Sequence, residues 1–192
     1  PYTTLFRSKK CLIYIYLLLL TSLCCLQAGA VSSEIRSLSV SDGLPDLVIN
    51  TIYKDSKGYV WMGTNTSVER FDGIRLEHYM VEGSNENLKR VFALIEMPGD
   101  ELWVGTGMGL FRLADDAEKL ERLAPEMITS GVHAFCKLGD VLYVGTEKGL
   151  YVYKGGVFEH VLVDKNVFSR ANFVTGMVEG ENGILWLSTM GG

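Results

Sequence analysis

One phrase returns four times along this chain, and that repetition narrows what the chain can fold into. "DSKGYVWMGT" at 55–64 comes back as "GDELWVGT" at 99–106, "GDVLYVGT" at 139–146 and "NGILWLST" at 182–189. The aromatics Trp61, Trp103, Tyr143 and Trp186 then fall 42, 40 and 43 residues apart. Gly63, Gly105, Gly145 and Ser188 stand two places on, followed by Thr64, Thr106, Thr146 and Thr189. Three residues later come Ser67, Gly109, Gly149 and Gly192. Upstream, the apolar runs "VINTIYKD" (48–55), "VFALIEM" (91–97), "VHAFCKL" (132–138) and "VTGMVEG" (174–180) align as well. Self-similarity at a period of about 40 residues marks a stacked-repeat architecture.

The period inside each repeat selects among such architectures. Short runs alternate apolar and polar residues between turn residues, and no sustained 3.6-residue spacing intervenes. In the second repeat Val91, Ala93 and Ile95 are expected on one strand face, with a turn at Pro98-Gly99-Asp100. "ELWVGT", "LFRLA" and "KLERLA" (119–124) then read as further strands. The third repeat gives "VHAFCKL", "VLYVGT", "LYVYK" and "VFEHVLV" between turns at Gly139-Asp140, Glu147-Lys148-Gly149 and Gly155-Gly156. Four short antiparallel strands per repeat form one blade of a β-propeller. The expected fold is therefore all-β, with three blades and the start of a fourth. The repeats are bounded at about 48–80, 91–124, 132–163 and 174–192, the last truncated.

Each motif residue then has a structural task. Trp61, Trp103, Tyr143 and Trp186 lie on second strands and are expected to fill the wedge between blades, burying about 150–250 Å² each. Gly63, Gly105 and Gly145 leave room for close backbone approach. Thr64, Thr106, Thr146 and Thr189 suit a strand and can hydrogen-bond across it. Gly109 and Gly149 are expected at positive φ in the turn to the third strand. "GTGMGL" (105–110) imitates a dinucleotide loop, but a strand rather than a helix follows it.

Charge and composition remove other classes. The net charge is −5, and no basic run is longer than the pair Lys9-Lys10, so nucleic acid is not an expected partner. Residues 1–8, "PYTTLFRS", match the translation of a common short-read sequencing adapter and read as foreign to the gene. Residues 9–30 read as a signal-peptide helix. Lys9-Lys10 is its cationic start, "CLIYIYLLLLTSLCCL" its apolar stretch, and Ala28-Gly29-Ala30 its cleavage site before Val31. The propeller segment is 31–192. Cleavage leaves Cys136 as the one cysteine, which can form neither an internal disulfide nor a metal site. No metal and no cofactor is expected. His78, His133 and His160 fall on strands, where a structural or solvent-facing role is the ordinary one. Asp55, Asp72, Asp100 and Asp140 sit at turns, where bonding the turn backbone accounts for them.

Residues 38–80 resemble a known family. "SDGLPDLVIN" (41–50) is similar to its lead-in, "DSKGYVWMGT" to its turn and second strand, and "RFDG" (70–73) to the end of its third strand. The family is the two-component regulator propellers, the periplasmic sensor region of hybrid two-component systems of Bacteroidetes. The chain departs from it at Ser67-Val68-Glu69, where Gly-Leu-Asn is usual, so the turn at 64–67 is expected to differ.

The resemblance implies about fourteen such repeats in two propellers. An immunoglobulin-like domain, a membrane helix, a histidine kinase, a receiver and an AraC-type DNA-binding domain would follow. It also implies a glycan-type ligand, a homodimer at full length, and a periplasmic site with an inner-membrane anchor. The remaining blades and C-terminal domains would then be partners within the same polypeptide.

The chain itself carries no kinase motif and is expected to have no catalytic domain. "IRSLSV" (35–40) is expected as an outer strand, and the chain is expected to be a fragment whose exposed blade faces associate. Two other readings compete with the sensor: a secreted propeller scaffold for protein partners, and a carbohydrate-active propeller enzyme. An enzyme of that kind needs two carboxylates facing one cleft. Arg70, Arg90 and Arg170 could grip an anionic ligand, but no ligand-binding residue can be chosen from the sequence.

Overall fold

The structure is a computed structural model that describes residues 37–81 and 88–191, with Tyr14, Tyr16 and Ile35. It divides into two units, 1–37 and 38–192. In the first unit Tyr14 and Tyr16 are helical. The remainder of the expected signal peptide, including Ala30 and Val31, lies outside the described residues. Among the described residues no helix is long and apolar enough to cross a membrane.

The second unit is all-β, as the repeat requires. Its first sheet orders β1 (Thr51–Lys54), β2 (Val60–Gly63), β3 (Val68–Phe71) and β4 (Leu76–Tyr79). The second orders β5 (Val91–Met97), β6 (Glu101–Thr106), β7 (Gly109–Leu113) and β8 (Glu121–Arg122). The third orders β9 (Val132–Leu138), β10 (Val141–Thr146), β11 (Gly149–Lys154) and β12 (Val157–Val161). β13 (Val174–Glu179) and β14 (Leu185–Thr189) form a fourth, two-stranded sheet. Every named pair is antiparallel. The first strands β1, β5, β9 and β13 are successive neighbours, so the four sheets stand as blades around one axis.

Two buried clusters hold the blades together. Trp61, Val68 and Tyr79 of the first blade pack with Leu102, Val104, Phe111 and Leu113 of the second. Trp103 and Leu110 of the second pack with Val132, Leu142, Val144 and Tyr151 of the third. The repeat glycines set the spacing. A methyl placed on Gly63 would come within 2.5 Å of the Val91 side chain; on Gly105, within 2.8 Å of Val132; on Gly145, within 2.7 Å of Val174. Each glycine thus receives the first valine of the next blade, and all three valines are fully buried.

The repeat threonines bond across to the first residue of the third strand and close the turn that leads to it. Thr106 Oγ1 donates to the Gly109 carbonyl at 3.0 Å and accepts from Met108 N at 3.1 Å. Thr146 does the same with Gly149 at 2.8 Å and Lys148 N at 3.1 Å. Thr64 closes the first turn in the same way, onto Ser67 at 3.1 Å and Thr66 N at 3.1 Å. Thr189 Oγ1 accepts from Gly191 N at 3.3 Å. The substituted turn at 64–67 differs in backbone more than in bonding. Gly109 and Gly149 have φ of 125° and 123°, while Ser67 has no positive φ.

Three expectations require correction. Trp186 is 63% exposed, against 5% for Trp61 and 3% for Trp103, and Tyr143 is half-buried. A wedge ring is only as buried as the sheet laid over it. Trp61 and Trp103 each face four strands, Tyr143 faces the two of the fourth sheet, and no further sheet covers Trp186 among the described residues.

The described residues of 35–40 form no strand and instead lead into a 3-10 turn at Val40–Asp42. A strand exists only when paired, and no described residue pairs with this segment in a sheet. Finally, Val91, Ala93 and Ile95 do not share a face. A bulge follows Val91, so Val91 and Leu94 join the first-to-second blade cluster while Ile95 packs in the next.

Candidate functional site

That bulge recurs, and it builds the strongest candidate site. The register shifts between Val91 and Ala93, between Val132 and Ala134, and between Val174 and Gly176. Phe92, His133 and Thr175 are the inserted residues. A bulge unpairs one residue and re-aims its side chain, and bulges gather beside functional sites. Ring contacts show where two of these side chains go. The Phe92 and His133 ring centroids are 4.1 Å apart, and His133 lies 4.8 Å from the Phe173 ring. The rings of the second, third and fourth blades therefore form one line of tilted ring contacts along the inner rim.

Polar groups extend the stack into the first blade. The Arg90 guanidinium sits 5.5 Å over the Phe92 ring, and its Nε donates to Asn50 Oδ1 at 3.1 Å. Asn50 Nδ2 donates to Asn65 Oδ1 at 3.1 Å. Lys89 and Arg90 both adopt left-handed backbone, φ 48° and 77°, a conformation that costs energy outside glycine. Backbone bonds hold it there: Arg90 N to Asn65 O at 2.8 Å and Gly107 N to Arg90 O at 3.0 Å. His133 Nε2 faces Glu147 Oε1 at 3.3 Å. Gly131 makes that pair possible, since a methyl on it would lie 2.8 Å from the Glu147 carboxylate.

The opposite side of the blades carries a groove of about 620 Å³ between the first and second blades. Many of the charged groups at its wall are engaged in internal pairs. Ser56 donates from its N and Oγ to the Glu96 carboxylate at 2.9 and 2.6 Å. Lys57 pairs with Asp100 and Asp115 at 3.1 Å each, and these bonds raise its pKa above the ordinary lysine value. Asp55 accepts from Tyr59 N at 2.8 Å and from Trp61 Nε1 at 2.7 Å. Arg70 lies over Tyr59, Trp61 and Tyr79 and pairs with Glu77. Burial and the Glu77 bond push the Tyr79 phenol up to about 12. Among the described residues no cluster of three or more His, Cys, Asp or Glu is placed to hold a metal ion.

The other singled-out residues now have places. Asp72 accepts from Ile74 N and Arg75 N, and the Arg75 and Ile74 amides lower its pKa. Asp100 and Asp140 form ion pairs with Lys57 and Lys154 instead of bonding their turns. Burial, then Glu179, raises the Cys136 thiol. His160 stacks on Tyr151 at 4.5 Å and Arg170 is exposed. His78 bonds a buried carboxylate, Glu69, at 2.8 Å. Of the three arginines the sequence offered, Arg70 is engaged internally and Arg90 stands on the rim. The sequence reading missed Phe92, His133 and Phe173 as a group. The signal was the residue after each aligned valine, whose placement depends on bulges that alternation alone does not reveal.

The fold makes this chain a β-propeller segment. Within the first repeat, residues 43–66 match the family described as two component regulator propeller. No curated protein matches the sequence. Among solved structures, the chain resembles the extracellular domain of BT4673 from B. thetaiotaomicron, described both as a hybrid two component and as a one component system. The identity is 22% and the TM-score 0.62, over 74% of this chain and 19% of that one. The chain thus spans about a fifth of that ectodomain's length. A streptogramin B lyase matches at 16% identity and TM-score 0.57, over 76% of this chain and 49% of that chain. An ancestral GH74 enzyme matches at 18% and 0.57, over 72% and 21%. At these identities the likeness is one of fold.

Proposed function

We propose that the chain is part of the extracytoplasmic sensor propeller of a hybrid two-component system. In this reading a glycan-type ligand binds at the inner rim, and the signal passes to a histidine kinase elsewhere in the same polypeptide. The chain itself is not catalytic. Export through residues 9–30 with cleavage at Ala30-Val31, a periplasmic location, an inner-membrane anchor and dimerisation at full length belong to the same reading. Such a receptor works by differential affinity: ligand shifts the equilibrium between two receptor arrangements only as far as it prefers one of them. The observation that carries the reading is the sensor-family repeat at 43–66, set on a fold shared with a two-component ectodomain.

Sequencing the gene beyond codon 192 tests it. The expected result is a frame running through further blades into a membrane-spanning helix and kinase motifs. A frame that completes the propeller and then stops overturns the sensor assignment and leaves the interaction scaffold in its place.

A further inference from the structure

The fourth sheet breaks the joint that the first three share. In those three the second strand offers a glycine, and the first strand sets a small side chain opposite it. Thr51 stands opposite Gly63, Ala93 opposite Gly105 and Ala134 opposite Gly145. In the fourth sheet the pair is reversed, with Gly176 on β13 and Ser188 on β14. Ser188 shares a face with Trp186, two residues before it, as Gly63 does with Trp61. Both Ser188 and Trp186 are exposed. A methyl on Gly176 would lie 2.8 Å from Ser188 Oγ, so the serine leans over the glycine, and Thr175 Oγ1 bonds its hydroxyl at 3.0 Å.

A valine cannot enter a seat filled in this way. A β-carbon on Gly63, Gly105 or Gly145 would come within 2.5, 2.8 or 2.7 Å of the incoming valine side chain, closer than such carbons approach. At Gly145 the nearest atom is a Val174 methyl, while the Val174 β-carbon is 3.2 Å away, a contact that a small shift relieves. Removing the valine methyls therefore removes the collision.

We infer that the face of the fourth sheet around Trp186 and Ser188 docks a further blade carrying glycine or alanine where other blades carry Val91, Val132 and Val174. The inference rests on the sensor reading for the existence of that blade and on Ser188 for its identity. Continuity of register supplies the occupant, because Trp61 and Trp103 both meet the blade that follows them. Ser188 acts by exclusion: it turns away valine-bearing units and so selects which repeat sits beside the fourth. It turns away a second copy of the chain as well. That copy's first blade offers Ile49, twelve residues before Trp61, as Val91 stands twelve before Trp103.

Two measurements test this. In the full chain, Gly145→Ser recreates the filled seat in an existing joint and should lower the melting temperature by about 3–10 °C. Val174→Ala should then cost less in the Gly145→Ser background than alone, because the trimmed residue no longer meets the serine. Gly145→Ala serves the same cycle where the serine variant does not fold. Additive losses overturn the inference. Sequencing the gene beyond codon 192 should reveal a further repeat with glycine or alanine at the aligned place. Valine, isoleucine or leucine there overturns the inference and leaves the sensor reading standing, whereas a frame that stops without a further blade overturns both. Self-association of the chain that buries Trp186, read as a blue shift of its emission, would seat Ile49 on Ser188 and also overturns the inference.

Discussion

The first and third blades are built on one plan and stabilised by different chemistry. In the third blade Tyr151 stacks on His160, and Tyr153 and Phe158 receive the Trp103 ring at 4.8 and 5.8 Å. In the first blade Glu69 occupies the register position of Tyr151, paired across the strands with His78 as Tyr151 is with His160. Its Oε1 takes Ser67 Oγ at 2.7 Å and His78 Nδ1 at 2.8 Å. Its Oε2 is buried without a hydrogen-bond partner. Trp61 is likewise held by a carboxylate, Asp55, with a guanidinium, Arg70, over it. Rings and charges thus fill equivalent places. Ring packing adds contacts without a desolvation cost, whereas a buried carboxylate must recover its lost hydration from every partner it can find.

The largest test of this contrast is Trp103→Ala, which empties the ring-filled seam. It should cost about 3–5 kcal/mol in denaturant unfolding of the chain. A loss below 1 kcal/mol would mean that the ring carries little of the seam. Glu69→Leu should act in the opposite direction and stabilise the chain by about 1–4 kcal/mol, since it removes an incompletely satisfied buried charge while His78 remains open to water. If that variant is destabilised, the Ser67–Glu69–His78 cluster is a net stabilising element.

A smaller effect appears in alkali. Tyr79 has its pKa raised to about 12, so its contribution to stability is complete below the ordinary phenol value near 10. It is lost as pH rises between those two values. Tyr79→Phe should flatten that decline in a pH series of melts. The smallest effect is Lys57→Ala. Its two ion pairs span the first seam but are solvent-exposed, so the melting temperature should not move, with or without added salt.

The fold was readable because the repeat imposes itself at every level. Aromatic, glycine and threonine recur at fixed offsets, and Trp61, Trp103, Gly63, Gly105 and Gly145 meet the next blade where those offsets place them. What escaped the sequence depends on pairing. Alternation in "VFALIEM" assigns Ala93 and Ile95 to the face of Val91, but one inserted residue reverses the phase after Val91. "IRSLSV" has strand composition, but its described residues pair with no edge, and Trp186 has the aligned position of a wedge ring but is 63% exposed, with no sheet above it among the described residues. The rim stack was hidden for the same reason. Phe92, His133 and Phe173 come from three repeats and meet only after the blades are assembled. Arg90 could be singled out by charge, but its place over the Phe92 ring could not.

The joint between blades is a socket on one repeat and a plug on the next: Gly63 for Val91, Gly105 for Val132, Gly145 for Val174. A tandem duplication of one unit therefore copies both halves of the joint at once. New blades can be added without inventing a new interface.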